Sequence, residues 1–383
     1  MKQFPRFCFL IVCTTSMLLS SGCRNDASDV AKTDSKTANC VQYAHGLKLF
    51  RYKDFTLATV QDPWPGATKS YRYVLVKKDA VIPDSLKSET IITVPVRKII
   101  VTSTTHIPSL EMLGSENTLI GFPQLDYISS PKVRRRIADG KVRELGTNQS
   151  INVENVIDLS PDVFIGYGID NNNQTLDNLK KAGIKVMLNG DWNEQTALGK
   201  AEWIKLFGAL YDKDKLADSL FDNIVTEYEN TIKLAKKAKS KPTVMAGALY
   251  ENKWYMPYGD SWGATLISQA GGNYLWADSK GTGSLSLSFE TVLDKASGAD
   301  FWIGPGQFTS LSQLISENPD YGAFKSYKQK NVFSFSVKKG ETGGVLYYEL
   351  APNRPDLVLK DLVSILHPEL LPNYKPVFFE KLK

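Results

Sequence analysis

Histidine is scarce in this chain: His45, His106 and His367 are all that 383 residues contain, and they stand far apart. A dedicated zinc or manganese site normally gathers histidine with carboxylates or thiolates at short spacing. No such cluster is visible, so no metal site made by the protein itself is expected. Cysteine is almost as sparse, with Cys8 and Cys13 in an apolar leader and only Cys23 and Cys40 beyond it. That is too few for a disulfide framework. Catalytic signatures are missing too. There is no Walker loop, no HExxH and no GxSxG, and the GTG at 281–283 runs into SLSLSFE instead of a strand-to-helix turn. The absence argues against an enzyme and for no bound cofactor. Excess charge is also lacking, since the formal net charge is only +5. Losing the leader would remove Lys2 and Arg6 and no acid, leaving +3. A bias that small makes no case for nucleic acid or an anionic membrane surface, and the basic KVRRR at 132–136 reads as a solvated helix face.

Long apolar runs are confined to FCFLIVCTTSMLL, residues 7–19, which follow Lys2 and Arg6. The run is short for a bilayer span and reads as a secretory signal over 1–22. It ends in SSGC, residues 20–23, which resembles a lipobox although Ser20 stands where an aliphatic residue is usual. Cys23 is then the expected lipidation site. The polar RNDASDVAKTDSKTANC that follows makes 23–45 a lipid-anchored tether, and the protein is expected to be exported and held on the cell envelope.

The rest of the chain has an ordinary globular balance, 42% hydrophobic and 23% charged. One unit is spelled twice: INVENVIDLSPDVFIGYG at 151–168 and LSFETVLDKASGADFWIG at 287–304. Each copy opens on a small polar cap, Asn152 or Ser288, followed two places on by Glu154 or Glu290 in the first turn of a helix. Apolar positions recur at helical spacing, then a break leads to a buried strand ending in glycine. Upstream the order also repeats. Residues 97–101 read as a strand, TSTTH as a loop, 107–114 as a helix closed by Gly114, and 118–122 as a strand. In the second half, 242–250 reads as a strand, 251–261 as a loop, 262–272 as a helix with Gly271, and 273–277 as a strand. Between the halves lie a helix over 196–211 and another over 213–238 with no glycine or proline, long enough to act as a strut. Ahead of them, 55–78 alternates as a hairpin with PWPG at its turn, expected as an added edge on the first lobe, with Trp64 either covering that edge or standing at a cleft rim.

GTNQSINVENVIDLSPDVFIGYG (146–168) resembles the signature of substrate-binding proteins of ABC importers for iron chelates and cobalamin, the class III periplasmic binding fold. PVRKIIVTSTTHIPSLEMLG (95–114), ALGKAEWIKLFGALY (197–211), GDSWGATLISQAGGNYLW (259–276) and RPDLVLKDLVSILHPELL (354–371) resemble it as well. The resemblance covers roughly residues 90–375. It implies an α/β protein of two Rossmann-like lobes joined by a long interdomain helix, here with an added N-terminal β-hairpin. The expected division is a β extension at 46–90, a first lobe at 91–192, linking helices at 193–240 and a second lobe at 241–383. It also implies a monomer that captures a metal chelate in an interlobe cleft and hands it to an ABC permease. An iron complex, ferric siderophore or haem, is the first expectation and cobalamin the alternative. A structural or adhesive lipoprotein and a two-lobed enzyme remain the competing classes.

Candidate ligand contacts follow from loops after strand ends. In the loop 251–262 these are Trp254, Tyr255 and Tyr258, with Trp262 expected to pack inward. Tyr167 and Trp302 occupy near-equivalent places at the repeated strand ends, and Tyr347 and Tyr348 follow paired glycines. Thr105 and His106 close the first-lobe loop, although His106 equally suits a satisfied interior position. Arg354 is the candidate partner for an anionic chelate. Relatives of this kind use a carboxylate on each lobe to meet the permease; Glu111 is the first-lobe candidate, whereas the matching place before Gly271 holds Ser268.

Overall fold

The computed structural model describes residues 37–168 and 173–383. The proposed signal sequence and Cys23 lie outside the described residues. No described helix is long and apolar enough to cross a membrane.

The first lobe is built on a five-stranded parallel sheet. Its order is Val186–Leu188, Val163–Gly166, Ile99–Val101, Leu119–Phe122 and Arg143–Glu144. The central strands are buried throughout, as expected where helices cover both faces. The second lobe repeats the plan in the order Asn273–Tyr274, Thr243–Ala246, Phe301–Ile303, Val332–Ser334 and Glu380–Lys381, the last antiparallel to its neighbour.

The duplicated unit folds alike in both places. Asn155 N–H donates to the Asn152 side chain at the start of the helix Val153–Leu159. Thr291 N–H does the same to Ser288 at the start of Phe289–Ala296. Gly114 and Gly271 both have positive φ, +58° and +83°, and end their helices where a side chain would be strained.

The stretch read as one helix over 196–211 breaks at Trp203 into Ala197–Glu202 and Ile204–Leu210, and nearly all of it is buried. The strut follows as Asp214–Ala235, about 33 Å long at 1.5 Å per residue. Its Ala217, Phe221 and Ile224 belong to the first lobe's core and its Tyr228 and Ala235 to the second's. One unbroken helix is thus welded into both cores. The C-terminal helix Pro355–Leu366 lies along it.

The N-terminal extension differs from expectation in two ways. Phe55–Val60 and Tyr71–Lys77 pair antiparallel, but within a separate four-stranded sheet with Leu47–Arg51 and Thr90–Val94. This sheet adds no strand to the first lobe. It covers that lobe's edge instead, because the Tyr73 hydroxyl accepts from Leu188 N–H on the edge strand. Trp64, from PWPG, is buried against Gly168, where a Cβ would meet its ring at 2.4 Å.

The second difference concerns the end of the tether. Residues 39–46 are pinned to the linking helices. The buried Glu202 carboxylate accepts from the N–H groups of Gln42, Tyr43 and Ala44 at 2.6–3.0 Å and from Lys205 Nζ at 2.8 Å. Glu194 accepts from His45 N–H, Gly46 N–H and Trp203 Nε1. A free tether therefore does not extend to residue 45, since backbone donors that would otherwise face water are held by two buried carboxylates.

Candidate functional site

A cavity of about 790 Å³ opens in the second lobe beside the carboxyl ends of its strands. Ala246 and Gly247 end one strand there, and Ile303 and Gly304 end the next. This is where ligands of open α/β sheets bind. Gly247 has φ +82°, and a Cβ would stand 1.8 Å from Tyr255 O. The close approach lets the chain fold back at once into a small antiparallel sheet of Ala248–Tyr250, Lys253–Pro257 and Ser284–Leu287.

That sheet corrects the reading of 251–261 as a loop and, with it, the part assigned to Trp254. In a strand successive side chains face opposite ways. Trp254 and Met256 therefore turn inward, while Tyr255 is 39% exposed. Trp254 is wholly buried among Trp302, Tyr321 and Phe324, with ring centroids 5.4–5.7 Å away. Its Nε1 donates to Ala246 O, and Trp302 Nε1 donates to Gly247 O, both at 2.8 Å. Neither indole lines the cavity. They brace the two carbonyls at its edge, and Trp302, also fully buried, is core as well.

The wall itself is aromatic. Trp262, Tyr347 and Phe335 stack in a column, with centroids 6.1 Å and 4.5 Å apart and planes within 24° and 17°. Tyr348 meets Phe335 edge-on at 5.5 Å. Tyr255, with Tyr250 beside it, also lines the space. Trp262 thus borders the cavity, contrary to the inward packing expected of it. It is the first residue of the helix Trp262–Gln269, capped by Ser261, and that position turns it toward the strand ends. Phe335 was missed. The alternation of VFSFSV carries its signal, since Ser334 and Ser336 are buried and Phe335 is half-buried between them. Burial raises the hydroxyl pKa of both Tyr347 and Tyr348 above the ordinary value, so both phenols are neutral at physiological pH.

The remaining candidates lie elsewhere. Tyr258 does not line the cavity; its ring packs on Gly281. Arg354 binds Asp356 through two nitrogens at 2.7 and 2.9 Å, so its guanidinium is already occupied by a carboxylate two residues away. Tyr167 is half-buried at the end of a first-lobe strand, and burial raises its pKa. Thr105 Oγ1 donates to Asp191 Oδ2 at 2.8 Å. His106 is fully buried with Asp191 Oδ1 4.0 Å away, and burial holds its pKa below the ordinary value. It belongs to the interior and has no surface to offer a ligand. Among the described residues no group of three or more His, Cys, Asp or Glu is placed to hold a metal ion.

The lobes meet through the helix that carries the two tyrosines, Leu346–Leu350. Its Glu349 accepts from Ser129 N–H at 2.6 Å, and Ser129 Oγ donates to Gly344 O at 2.9 Å. Nearby, Asn353 donates to Thr105 O and accepts from Ser109 Oγ. Glu111 is half-buried on the first-lobe side and accepts from the Ser130 hydroxyl; burial raises its pKa.

The model of the periplasmic binding protein family matches residues 99–336, more than half of the chain. The chain belongs to this family. Two uncharacterized lipoproteins of Methanocaldococcus jannaschii are similar over most of their length. One is 26% identical across 97% of this chain and 95% of its own, the other 28% identical across 90% and 87%. A periplasmic haem-binding protein of Pseudomonas aeruginosa has the same fold with a TM-score of 0.56 at 15% identity, over 75% of this chain and 98% of that one. So does a possible iron-binding periplasmic solute-binding protein of Staphylococcus epidermidis, with a TM-score of 0.54 at 20% identity, over 71% and 99%. Two parallel-sheet lobes bridged by one long helix are thus the class III form of the periplasmic binding protein, and the family and its structural neighbours are solute-binding proteins.

Proposed function

We propose that this periplasmic binding protein is the substrate-binding lipoprotein of an ABC importer, capturing an iron complex and delivering it to the permease. The observation that carries the reading is the stacked wall of Trp262, Tyr347 and Phe335 on a cavity of about 790 Å³ at the strand ends. That volume suits a compact chelate, and flat rings offer large contact area at little entropic cost. The described lining residues include no histidine, cysteine or aspartate, and no group of three or more His, Cys, Asp or Glu among the described residues is placed to hold a metal, which fits a metal that arrives already wrapped. Export and acylation at Cys23 complete the proposal, supported by the leader, the SSGC sequence and relatives named as lipoproteins.

Cobalamin is the alternative, favoured by one observation: Arg354 is engaged with Asp356, and a corrinoid needs no cation from the protein. Titration of the purified mature protein with ferric siderophores, haem and cyanocobalamin, read by tryptophan quenching, tests the reading. An iron complex should bind most tightly. Tight binding of cyanocobalamin alone would overturn the first choice, and binding of none would overturn the transport role. Cys23→Ala should abolish detergent partitioning, and unchanged partitioning would refute the anchor.

A further inference from the structure

We infer that the cavity selects by charge, admitting a ligand face that is neutral or cationic and rejecting anionic ones, with Glu317 as the rim residue that sets the sign. The inference rests on the proposed binding role and deepens it. Among the described residues that line the cavity, Glu317 alone carries a formal charge, and it is exposed.

Three cations around this end of the lobe already have partners. Lys200 comes within 5.9 Å of the Trp262 ring, but its ammonium donates to Asp191 O and Trp192 O and faces the charges of Asp191 and Glu194. Lys338 is not on the wall and lies 3.9 Å from Glu380. Arg354 is held by Asp356. An anion entering this space would lose its water and meet no countercharge among the described lining residues, a cost that uncharged or positive groups escape.

The aromatic wall acts in the same direction. The faces of Trp, Tyr and Phe rings carry the negative end of their quadrupole and attract cations. With the Tyr347 and Tyr348 hydroxyls held neutral, the wall provides no positive group, and a carboxylate stands at its mouth. Glu317 sits at the end of the helix Leu311–Glu317, where no interior packing depends on it, so it can be exchanged without disturbing the core.

Two ferric complexes of opposite charge give the test: a trihydroxamate bearing a free ammonium, which is cationic, and a tricatecholate, which is trianionic. Both are titrated against the parent protein and Glu317→Lys by tryptophan quenching, at low and at physiological salt. The cationic complex should bind the parent at least roughly 100-fold more tightly, the scale of leaving one charged group without a partner. Glu317→Lys should narrow the ratio roughly tenfold, and more so at low salt. Equal binding of the two complexes, or tighter binding of the tricatecholate, would overturn the charge rule while leaving the transport role standing. A preference unchanged in Glu317→Lys would remove Glu317 from it. If neither complex, nor haem, nor cyanocobalamin binds the parent, the functional reading itself fails.

Discussion

Glu349 joins the lobes through a carboxyl group that the fold keeps out of water, so its proton is linked to stability. The perturbation is Glu349→Gln, compared with the parent at pH 5 and pH 8. Burial raises the Glu349 pKa from 4.5 to about 7. The N–H groups of Ser129 and Ser130 pull it back, while Glu111 across the lobe boundary pushes it further up. Lys132, Glu116 and Arg135 in turn face Glu111. A carboxyl with a raised folded-state pKa holds its proton more tightly in the folded protein than in the unfolded chain. Its contribution is complete below pH 4.5 and is lost as the pH rises through 7. Between pH 5 and pH 8 the loss is roughly 2.5 kcal/mol. Glutamine keeps one acceptor for Ser129 N–H and does not titrate. Its amide N–H₂ costs about 1–3 kcal/mol if left unpaired, but equally at both pH values. The measurement is denaturant unfolding followed by tryptophan fluorescence and circular dichroism. Relative to the parent, the variant should gain roughly 2.5 kcal/mol on going from pH 5 to pH 8. A gain below about 0.5 kcal/mol would refute the buried-carboxyl argument, because that is the size of an ordinary surface substitution.

Trp254→Ala should cost about 3–5 kcal/mol of stability, as large-to-small changes in a packed core do; an unchanged melting temperature with only weaker ligand binding would return Trp254 to the ligand surface. Tyr255→Ala should do the reverse, weakening binding by about 1–3 kcal/mol while thermal unfolding stays put, since its ring is exposed on the cavity wall. Glu202→Ala should cost about 3–5 kcal/mol by stranding the buried Lys205 ammonium, and should speed proteolysis within residues 37–46. Equal cleavage rates in parent and variant would show that this carboxylate does not hold the segment.

Several features were legible because their causes are local. The two capped helix-to-strand units need only a polar cap, an acidic first turn and apolar residues at fixed spacing, all within about twenty residues of each other. The strut from Asp214 to Ala235 follows from an uninterrupted helical stretch, and the family from motifs that lie along the chain. The aromatics of 251–262 were legible as a group, but not which of them meets the cavity. That depended on the segment being a strand, which it becomes by folding back on Ala248–Tyr250 and by being joined on its other side by Ser284–Leu287. Once paired, its two-residue period buries Trp254 and exposes Tyr255. Tertiary structure alone brought Glu349 to Ser129, 220 positions away, and Glu202 to residues 42–44, about 160 away. A buried carboxylate must find donors, and which N–H groups it finds is decided by how helices and lobes pack, an outcome that no spacing within the chain encodes.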